Sequence, residues 1–319
     1  MKDHYGREID YLRISVTDRC DLRCIYCMPE EGIEKQGHMS ILSFEEIEEI
    51  VRAAVSLGVG KLRVTGGEPL VRKGVEKLCA ALAAIDGVKE LAMTTNAVRL
   101  SAMAAKLKEA GVSRLNVSLD TLKPDRYRRI TRCGSLDHAL QGIRAAWEQG
   151  LPVKLNCVLL GGVNDDEIES FVELTRKRPI QVRFIELMPM GEDKAGGGAF
   201  LPCSTVLERV PALRPFRPLA PEKKGVARLY ALPGAAGQVG LISPLSDCFC
   251  QSCDRLRLTP DGKLKPCLHS SEEISLRGLH GEALAAAIRE AVQSKPLRHP
   301  GLSQEVRSPA GRDMNQIGG

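Results

Sequence analysis

The sequence predicts an α/β protein built around an open partial barrel of parallel strands. From Tyr11 to about Met190, short strand-like runs alternate with helical patterns, which is typical of a parallel sheet with crossover helices. Aromatic residues make up only 4% of the chain, beside 30 glycines and 18 prolines, and this balance favours many short turns over a β-sandwich. A chain of 319 residues with 43% hydrophobic content can fill the core of one large domain with a smaller one appended.

Six short runs have strand character. With right-handed crossovers between them, six parallel strands are expected to form an open, partial (β/α)6 barrel of the TIM type. In chain order the predicted strands are Leu12–Val16, Leu62–Thr65, Leu91–Thr94, Arg114–Leu119, Val153–Leu159 and Gln181–Leu187.

The helices between these strands have start signals. Ser43 and Glu46 form a capping box ahead of an apolar stripe that includes Ile47 and Ile50. Ser101 and Ser135 are predicted to open two later helices. These signals place helices after the first, third and fourth strands.

The character of the sequence changes after the sixth strand. Gly196–Gly198 precede a proline-rich stretch, which predicts a boundary between a region of residues 1–195 and a C-terminal region of residues 196–319. The second region holds a compact cysteine group, one apolar helix around Leu279–Val292 and a polar tail that ends in two glycines. Because it is too small to fold well alone, we expect a metal and the barrel to stabilise it.

Composition argues against a secreted or membrane protein. No apolar run reaches the length of a membrane span, and charged Lys2, Asp3 and Arg7 stand where a signal peptide is apolar, so we expect a cytoplasmic protein. In a cytosolic chain of this size, clustered cysteines are more often metal ligands than disulfides, and this chain has 11 cysteines. The formal charge of +5 is mild and is as compatible with one anionic small substrate as with nucleic acid.

Cys20, Cys24 and Cys27 follow the first strand with the spacing C-x3-C-x2-C. This spacing places three thiolates on one loop, and because iron–sulfur clusters are usually held by four cysteines, three would leave one iron of a four-iron cluster open to another ligand. The plain alternative is a structural zinc loop. Zinc needs a fourth ligand, and the closest histidine along the chain is His38.

A second feature, Thr65-Gly66-Gly67-Glu68-Pro69, lies at the end of the second strand. The two glycines let the backbone approach a ligand closely, and the carboxylate can accept a hydrogen bond from an ammonium group. Alone, this run would be only a turn. After the cysteine group, it supports a ligand site at the ends of the strands.

A second cysteine group lies in the C-terminal region. Cys250 and Cys253 form a C-x2-C pair, and thirteen residues separate this pair from Cys267. We interpret the nearby Cys248 as a bystander, although it could compete as a ligand or be the fourth ligand of a closed cluster or zinc site. The remaining cysteines are interpreted as plain thiols: Cys79, Cys133, Cys157 and Cys203.

Several strands carry cations where covered parallel strands are normally apolar. Lys61 and Arg63 share a face, as do Arg255 and Arg257. Since barrels open at the C-terminal ends of their strands, a ring of cations there would suit a polyanion, most simply a triphosphate. The alternative is that some are solvated strand ends or pair with carboxylates such as Glu186. The other strand cations are Arg13, Lys154 and Arg183.

Together these motifs resemble the GTP 3',8-cyclase family of the radical S-adenosylmethionine (SAM) superfamily. The resemblance rests on the run from Tyr11 to Cys20, the two cysteine triples, Arg255-Leu256-Arg257 and the terminal Gly-Gly, and it covers essentially the whole chain. It implies a partial barrel of the radical SAM type with a small C-terminal iron–sulfur domain. It also implies two [4Fe-4S] clusters and SAM as cofactors of a lyase.

The resemblance implies a reaction. The N-terminal cluster would cleave SAM to methionine and a 5'-deoxyadenosyl radical, which takes the 3' hydrogen of GTP. The substrate radical would attack guanine C8 and yield (8S)-3',8-cyclo-7,8-dihydroguanosine 5'-triphosphate, in the first step of molybdenum-cofactor biosynthesis. The open iron of the second cluster would bind the guanine.

Carried over by position, the resemblance implies specific contacts. The cluster ligands would be Cys20, Cys24, Cys27, Cys250, Cys253 and Cys267. The SAM contacts would be Tyr26, Gly67, Ser118 and Met188. The GTP contacts would be Arg13, Arg63, Thr94, Lys154, Arg183, Arg255, Leu256 and Arg257. Catalytic roles would fall on Arg13, Arg255, Arg257, Gly318 and Gly319.

The resemblance also gives the tail a function, because two residues without side chains could thread into a narrow active site. Without the resemblance, Gly318 and Gly319 would be dismissed as a frayed end. One departure from the family stands near the site. Ala97 replaces a glycine that the family often has, and this matters only if the turn needs a positive φ.

Two other functions are weighed. A radical SAM peptide-modifying enzyme with an auxiliary cluster would usually carry more cysteines and no Gly-Gly tail. A zinc-stabilised nucleic-acid-binding protein would need stacking aromatics, and the chain has only one Trp, five Tyr and six Phe. The expected partners are GTP, SAM, a flavodoxin- or ferredoxin-type reductant and, for the product, cyclic pyranopterin monophosphate synthase. We expect a monomer or homodimer that binds neither nucleic acid nor a membrane.

Overall fold

The computed structural model describes residues 1–33, 37, 40–190, 198–217, 225–303 and 306–318. All six predicted strands are confirmed, and their ends differ from the prediction by at most one residue. They are β1 (Tyr11–Ser15), β2 (Lys61–Thr65), β3 (Glu90–Thr95), β4 (Arg114–Ser118), β5 (Val153–Leu159) and β6 (Gln181–Glu186). The C-terminal strands are β7 (Arg214–Pro215), β8 (Arg228–Ala231), β9 (Gln238–Ile242), β10 (Arg255–Leu258), β11 (Lys263–Lys265) and β12 (Ile274–Ser275).

The twelve strands form one open sheet. Its order is β12-β11-β10-β1-β2-β3-β4-β5-β6-β9-β8-β7, and the pairs from β1 to β6 are all parallel, as predicted. The mixed α/β fold with a parallel sheet is therefore confirmed. The predicted division into residues 1–195 and 196–319 stays a prediction, because its boundary lies outside the described residues.

Strands from the C-terminal region extend the sheet at both edges. At one edge, β10 pairs in parallel with β1, which sets Tyr11 opposite Arg255 and Arg13 opposite Arg257. At the other edge, β9 pairs in parallel with β6. The barrel thus provides the two edges with which β10 and β9 pair. That the C-terminal region needs the barrel and a metal for its stability stays a prediction.

Helices cover the outer face of the sheet. They are α1 (Phe44–Ser56), α2 (Val75–Ala83), α3 (Ala104–Glu109), α4 (Pro124–Thr131), α5 (Leu136–Glu148), α6 (Ile168–Lys177), α7 (Ser204–Arg209) and α8 (Gly281–Gln293). A further short helix, α9 (Met314–Ile317), belongs to the C-terminal tail and lines the cavity inside the barrel. Helix α8 is the apolar helix predicted around Leu279–Val292. No helix in the described ranges is both long and apolar enough to cross a bilayer.

Two of the three predicted helix starts are confirmed. The Ser43 hydroxyl accepts from the Glu46 backbone N–H (3.1 Å), and the Glu46 carboxylate accepts from the Ser43 N–H (2.7 Å), so the capping box is formed. Ser135 is the N-cap of α5. The prediction for Ser101 is wrong: this residue lies in a 3-10 turn that buries Leu100, and α3 begins only after Met103.

Alternation along the strands separates the core from the cavity. Leu12, Leu62 and Leu256 are buried in the hydrophobic core between the sheet and its helices. Neighbouring positions point to the opposite face because successive side chains in a strand alternate. Arg13 and Arg63 thus point into the barrel, and the apolar core keeps their strands in register.

Candidate active site

One cavity of about 300 Å³ lies inside the barrel, and both cysteine groups face it. All six predicted ligands, Cys20, Cys24, Cys27, Cys250, Cys253 and Cys267, are among its lining residues. The carboxyl ends of β1 and β2 lead into this cavity, which is where barrel enzymes place their sites. The structure thus brings together two groups that are more than 200 residues apart in the chain.

The first cysteine loop is held against α4. The backbone N–H groups of Arg23 and Ile25 donate to the carbonyls of Thr131 and Ile130, both at 3.0 Å. Burial raises the pKa of the Cys20 and Cys27 thiols to about 12. Because a raised pKa makes these thiols poor acids, a bound cation would be needed to hold them as thiolates, and metal binding would release protons.

The Gly66-Gly67 turn packs directly on this loop. The Gly67 N–H donates to the Thr17 carbonyl (2.7 Å), and the Glu68 N–H donates to the Arg19 carbonyl (2.8 Å). A Cβ on Gly67 would lie 2.4 Å from the Arg19 oxygen, a distance that real contacts do not reach. The structure shows that these glycines make room for the segment that leads into the cysteine loop. That they also let the backbone approach a ligand stays a prediction. Gly67 also lines the cavity.

Glu68 joins this turn to the end of β3. Its carboxylate accepts from Leu70 N (3.0 Å), Thr95 Oγ1 (2.8 Å) and Asn96 N (2.7 Å). A carboxylate has about four acceptor positions, so one remains for a ligand in the cavity. Burial raises the pKa of Glu68 to about 7, although the three hydrogen bonds oppose that shift.

This pKa predicts a pH dependence of SAM affinity. Since the Glu68 pKa is raised to about 7, its ionised fraction falls as the pH drops through neutrality. Between about pH 8 and about pH 6 that fraction falls about tenfold, and we expect SAM affinity to fall with it. Equilibrium dialysis with labelled SAM on anaerobic, cluster-loaded protein measures this. The control is Glu68→Gln, in which groups on SAM itself titrate as they do with the wild type. SAM affinity should therefore depend more steeply on pH in the wild type than in this variant. Equal pH dependence in the two proteins would show that Glu68 does not bind SAM.

Half-buried Tyr26 and buried Asp120 form a pair beside the first cysteine group. The Tyr26 hydroxyl donates to Asp120 Oδ2 (2.7 Å), and Val158 N donates to Asp120 Oδ1 (2.8 Å). Burial raises the pKa of Asp120 to about 6, and the two hydrogen bonds lower it in part. Asp120, which the sequence analysis did not select, thereby fixes the ring of a predicted SAM contact. Ser118 and Met188, two further predicted SAM contacts, also line the cavity.

Two cations, Lys295 and Arg255, lie near the second cysteine group. Lys295 is buried, and its ammonium donates to the carbonyls of Arg255 (2.8 Å) and Pro266 (2.7 Å). Burial alone would raise the pKa of the Cys253 thiol, but Lys295 and Arg255 lower it below its usual value. Lys295 follows a helix in the chain and had no sequence signal for this position.

Cys248 lies beside Cys250 and His299, and one ligand atom from each falls within 4.8 Å of the others. Both ring nitrogens of His299 lie within hydrogen-bonding distance of a backbone carbonyl. Nε2 is 3.0 Å from the Pro244 oxygen, and Nδ1 is 2.7 Å from the Pro300 oxygen. The ring is thus engaged by the backbone. That Cys248 is a bystander stays a prediction.

Five arginines line the cavity: Arg13, Arg63, Arg183, Arg255 and Arg257. Burial, reinforced by repulsion between the guanidinium groups, lowers the pKa of Arg63 and Arg257 to about 10 and that of Arg183 to about 9. All three remain charged at neutral pH, and each lowered pKa measures an electrostatic cost that a bound polyanion would relieve.

Several buried polar atoms around the cavity have no hydrogen-bond partner among the described residues. They include Nε of Arg63, Oγ1 of Thr94 and Oδ1 of Asn156. Buried polar groups are normally satisfied, so this set indicates where a ligand would bind. Asn156 was missed by the sequence analysis, yet it lies two residues after the predicted Lys154 on β5 and shares its face.

The C-terminal tail enters the barrel. The carbonyl of Gly318 accepts from Arg257 Nη1 at 2.6 Å. A Cβ on Gly318 would lie 2.4 Å from Thr65 Oγ1 and 2.9 Å from the Ser15 Cβ, and the residue has φ +86°. Only glycine fits this position. Gly319 lies outside the described residues, and its role stays a prediction.

Two of the predicted GTP contacts do not line the cavity. Leu256 is buried in the core, so only its main chain could face a ligand. Lys154 is half-buried on β5 and also lies outside the lining set.

The turn at Ala97 has the positive φ that was in question. Its φ is 64°, a value that the glycine often found in the family would adopt without strain. The assignments to SAM, GTP and catalysis stay predictions.

Comparison with known families agrees with this geometry. Residues 14–175 match the Radical SAM superfamily, and residues 180–300 match the family Molybdenum Cofactor Synthesis C. The crystal structure of Streptococcus suis SuiB bound to precursor peptide SuiA superposes with a TM-score of 0.60 at 15% identity, over 92% of this chain and 66% of that one. This likeness shows the fold. The fold and the three-cysteine site together define a radical SAM enzyme.

Relatives of much higher identity narrow the class. GTP 3',8-cyclase from Alkaliphilus oremlandii is 50% identical over the full length of both chains. GTP 3',8-cyclase from Moorella thermoacetica is likewise 50% identical, again over 100% of both chains. The chain belongs to the GTP 3',8-cyclase family. The peptide-modifying and nucleic-acid-binding alternatives are thereby set aside.

The residues present fit the cofactors of this family, SAM and [4Fe-4S] clusters. Within the described chain, Cys248, Cys250 and His299 are the only group of three candidate ligand atoms that all lie within 4.8 Å of one another. Neither predicted triad is that compact, which suits a cluster whose cysteines bind separate irons better than a single zinc ion. The remaining acceptor position on Glu68 is available to a ligand in the cavity.

Proposed function

We propose that this chain is a lyase that converts GTP to (8S)-3',8-cyclo-7,8-dihydroguanosine 5'-triphosphate with SAM and two [4Fe-4S] clusters. One observation carries the proposal: a single cavity is lined by both three-thiol groups and by five arginines, and the C-terminal tail contacts one of these arginines. A site for a nucleotide triphosphate between two clusters needs these components. In the family this reaction opens molybdenum-cofactor biosynthesis.

The arginines are proposed to bind and orient GTP. Arg63 and Arg257 hold charged donors in a buried cavity, where a triphosphate can accept bidentate hydrogen bonds. Thr94 and Arg183 would add contacts from β3 and β6, while Lys154 and the Leu256 main chain would do so only after some rearrangement. Arg13, Arg255 and Arg257, the proposed catalytic arginines, belong to paired strands, so their spacing is set by the sheet register.

The opposite wall is proposed to hold SAM. Tyr26, Gly67, Ser118 and Met188 line the cavity around the first triad, Cys20, Cys24 and Cys27. When loaded, this cluster and SAM supply a 5'-deoxyadenosyl radical that can take the 3' hydrogen of GTP. The residues of the barrel hold the two substrates within near-attack distance and exclude water. Gly318, with Gly319 beyond it, is proposed to close the cavity beside Arg257.

Further assignments rest on the resemblance to the family. We propose a flavodoxin- or ferredoxin-type reductant, transfer of the product to cyclic pyranopterin monophosphate synthase, and a cytoplasmic location. We also propose that residues 1–195 carry the SAM site and that residues 196–319 carry the second cluster, with Cys250, Cys253 and Cys267 as ligands.

Anaerobic reconstitution with iron and sulfide, followed by incubation with SAM, dithionite and GTP, tests the activity. We expect about eight irons per chain and GTP-dependent release of 5'-deoxyadenosine. With GTP deuterated at the 3' position, mass spectrometry should find deuterium in 5'-deoxyadenosine and a new product derived from GTP.

Each alternative outcome is distinct. SAM cleavage without deuterium transfer would retain the radical SAM chemistry and reject GTP as the substrate. Zinc in place of iron after reconstitution would reject both clusters.

A further inference from the structure

Arg312 anchors the C-terminal tail through two carboxylates. Its Nε and Nη2 donate to Glu273, both at 2.6 Å, and its Nη1 and Nη2 donate to Asp261 at 3.1 and 2.9 Å. The guanidinium thus makes two bidentate pairs, the strongest arrangement available to an arginine. Its side chain is only 15% exposed, so these pairs are screened less than ordinary surface ion pairs.

A buried lysine extends this network. The Lys265 ammonium donates to Glu273 (2.8 Å) and to the Ser270 carbonyl (2.7 Å), and its side chain is fully buried. Glu273 therefore bridges a cation of the sheet to a cation of the tail. Removing Arg312 would leave the Glu273 carboxylate with Lys265 alone and would remove the ion pairs that join the tail to Asp261 and Glu273.

The anchor lies on the hairpin that also carries the cavity arginines. Asp261 is in the turn between β10 and β11, and Arg257 is on β10. Past Arg312, the tail forms α9, whose capping box joins Asp313 and Gln316, and then reaches Gly318 at the Arg257 guanidinium. The tail is thus fixed to one hairpin at both ends, with a short helix as the spacer.

From this arrangement we infer that Arg312 is a positioning residue, which holds Gly318 at the Arg257 guanidinium by anchoring the tail to Asp261 and Glu273. The inference deepens the proposed function, on which its catalytic consequence rests. If the anchor is lost, the cleavage of SAM continues while GTP is no longer held in the geometry for reaction. The result is uncoupling rather than simple inactivation.

The test compares Arg312→Ala with Arg312→Lys and with Arg289→Ala. Arg289 is a matched control because it makes one exposed ion pair, with Glu282 on α8. For Arg312→Ala we expect the ratio of GTP product to 5'-deoxyadenosine to fall tenfold to about a hundredfold. Arg312→Lys should recover part of that ratio, since a lysine keeps the charge without the bidentate geometry. Arg289→Ala should match the wild type.

Amide hydrogen exchange of residues 314–318 gives a readout that does not depend on activity. We expect faster exchange there in Arg312→Ala, with iron content and melting temperature close to wild type. If Arg312→Ala does not fold, the double variant Asp261→Asn with Glu273→Gln, which keeps the arginine, must show the same exchange and uncoupling. Wild-type exchange together with a wild-type product ratio would overturn the inference. If the wild type makes no product from GTP, the proposed function is wrong. The exchange rates still show whether Arg312 anchors the tail.

Discussion

Replacing Cys24 with alanine should abolish SAM cleavage and, with it, all conversion of GTP. The half-buried Cys24 lies on the cavity wall, and desolvation there raises the pKa of its thiol well above the usual value. A four-iron cluster that already has only three cysteine ligands is not expected to survive with two. We expect 5'-deoxyadenosine formation to fall at least about a hundredfold and bound iron to fall from about eight to about four per chain.

Iron analysis and 5'-deoxyadenosine assays of three variants test this prediction. Cys267→Ala should also lose about half of the iron, yet it should keep SAM cleavage and lose only the product from GTP. Cys133→Ser is the matched control, because this residue is exposed and, within the described part of the chain, its thiol bonds only to the Asp21 and Thr131 carbonyls. Full iron content in Cys24→Ala would show that Cys24 is not a ligand.

Gly318→Ala should nearly abolish the GTP product while SAM cleavage persists. A methyl group at this position would overlap Thr65 Oγ1 at 2.4 Å, and the φ of +86° is itself unfavourable for alanine. The tail must therefore move away from Arg257 and out of the barrel. Displacement of a positioning group by about 1 Å can cost about a hundredfold in rate, so we expect at least that loss.

Gly301→Ala is the control for this substitution. Gly301 has open space around it and does not have a left-handed backbone, so the added methyl group should change neither stability nor activity. Product formation from GTP and iron content are measured on both variants. Wild-type product from Gly318→Ala would mean that the tail takes no part in the reaction.

The sequence predicted the strands well because each is a short run in which apolar residues alternate with other residues, a pattern typical of strands. It placed Arg13 and Arg63 correctly on the inner face, since alternation along a strand fixes the direction of each side chain. It failed for Ser101, where burial of Leu100 in a turn outweighed a local capping preference. Tertiary packing decided that helix start.

The sequence predicted the cysteines that line the cavity, but it did not predict the residues that support the site. Asp120 and Lys295 reach the site only because distant segments fold together, and neither stands in a pattern that marks such a role. The sequence also could not show that the backbone of another loop leaves no room for a side chain at Gly67. Asn156 alone could have been found, from its two-residue spacing to Lys154.

The pairing of β1 with β10 has a consequence for the order in which the protein is made. Tyr11 leaves the ribosome long before its partner Arg255 is synthesised. Until then one edge of the first strand has no neighbour, and such an edge can pair with other chains. A contact so distant in sequence is also slow to form. Folding intermediates should therefore be prone to aggregate through β1, and loading of both clusters should follow release of the complete chain.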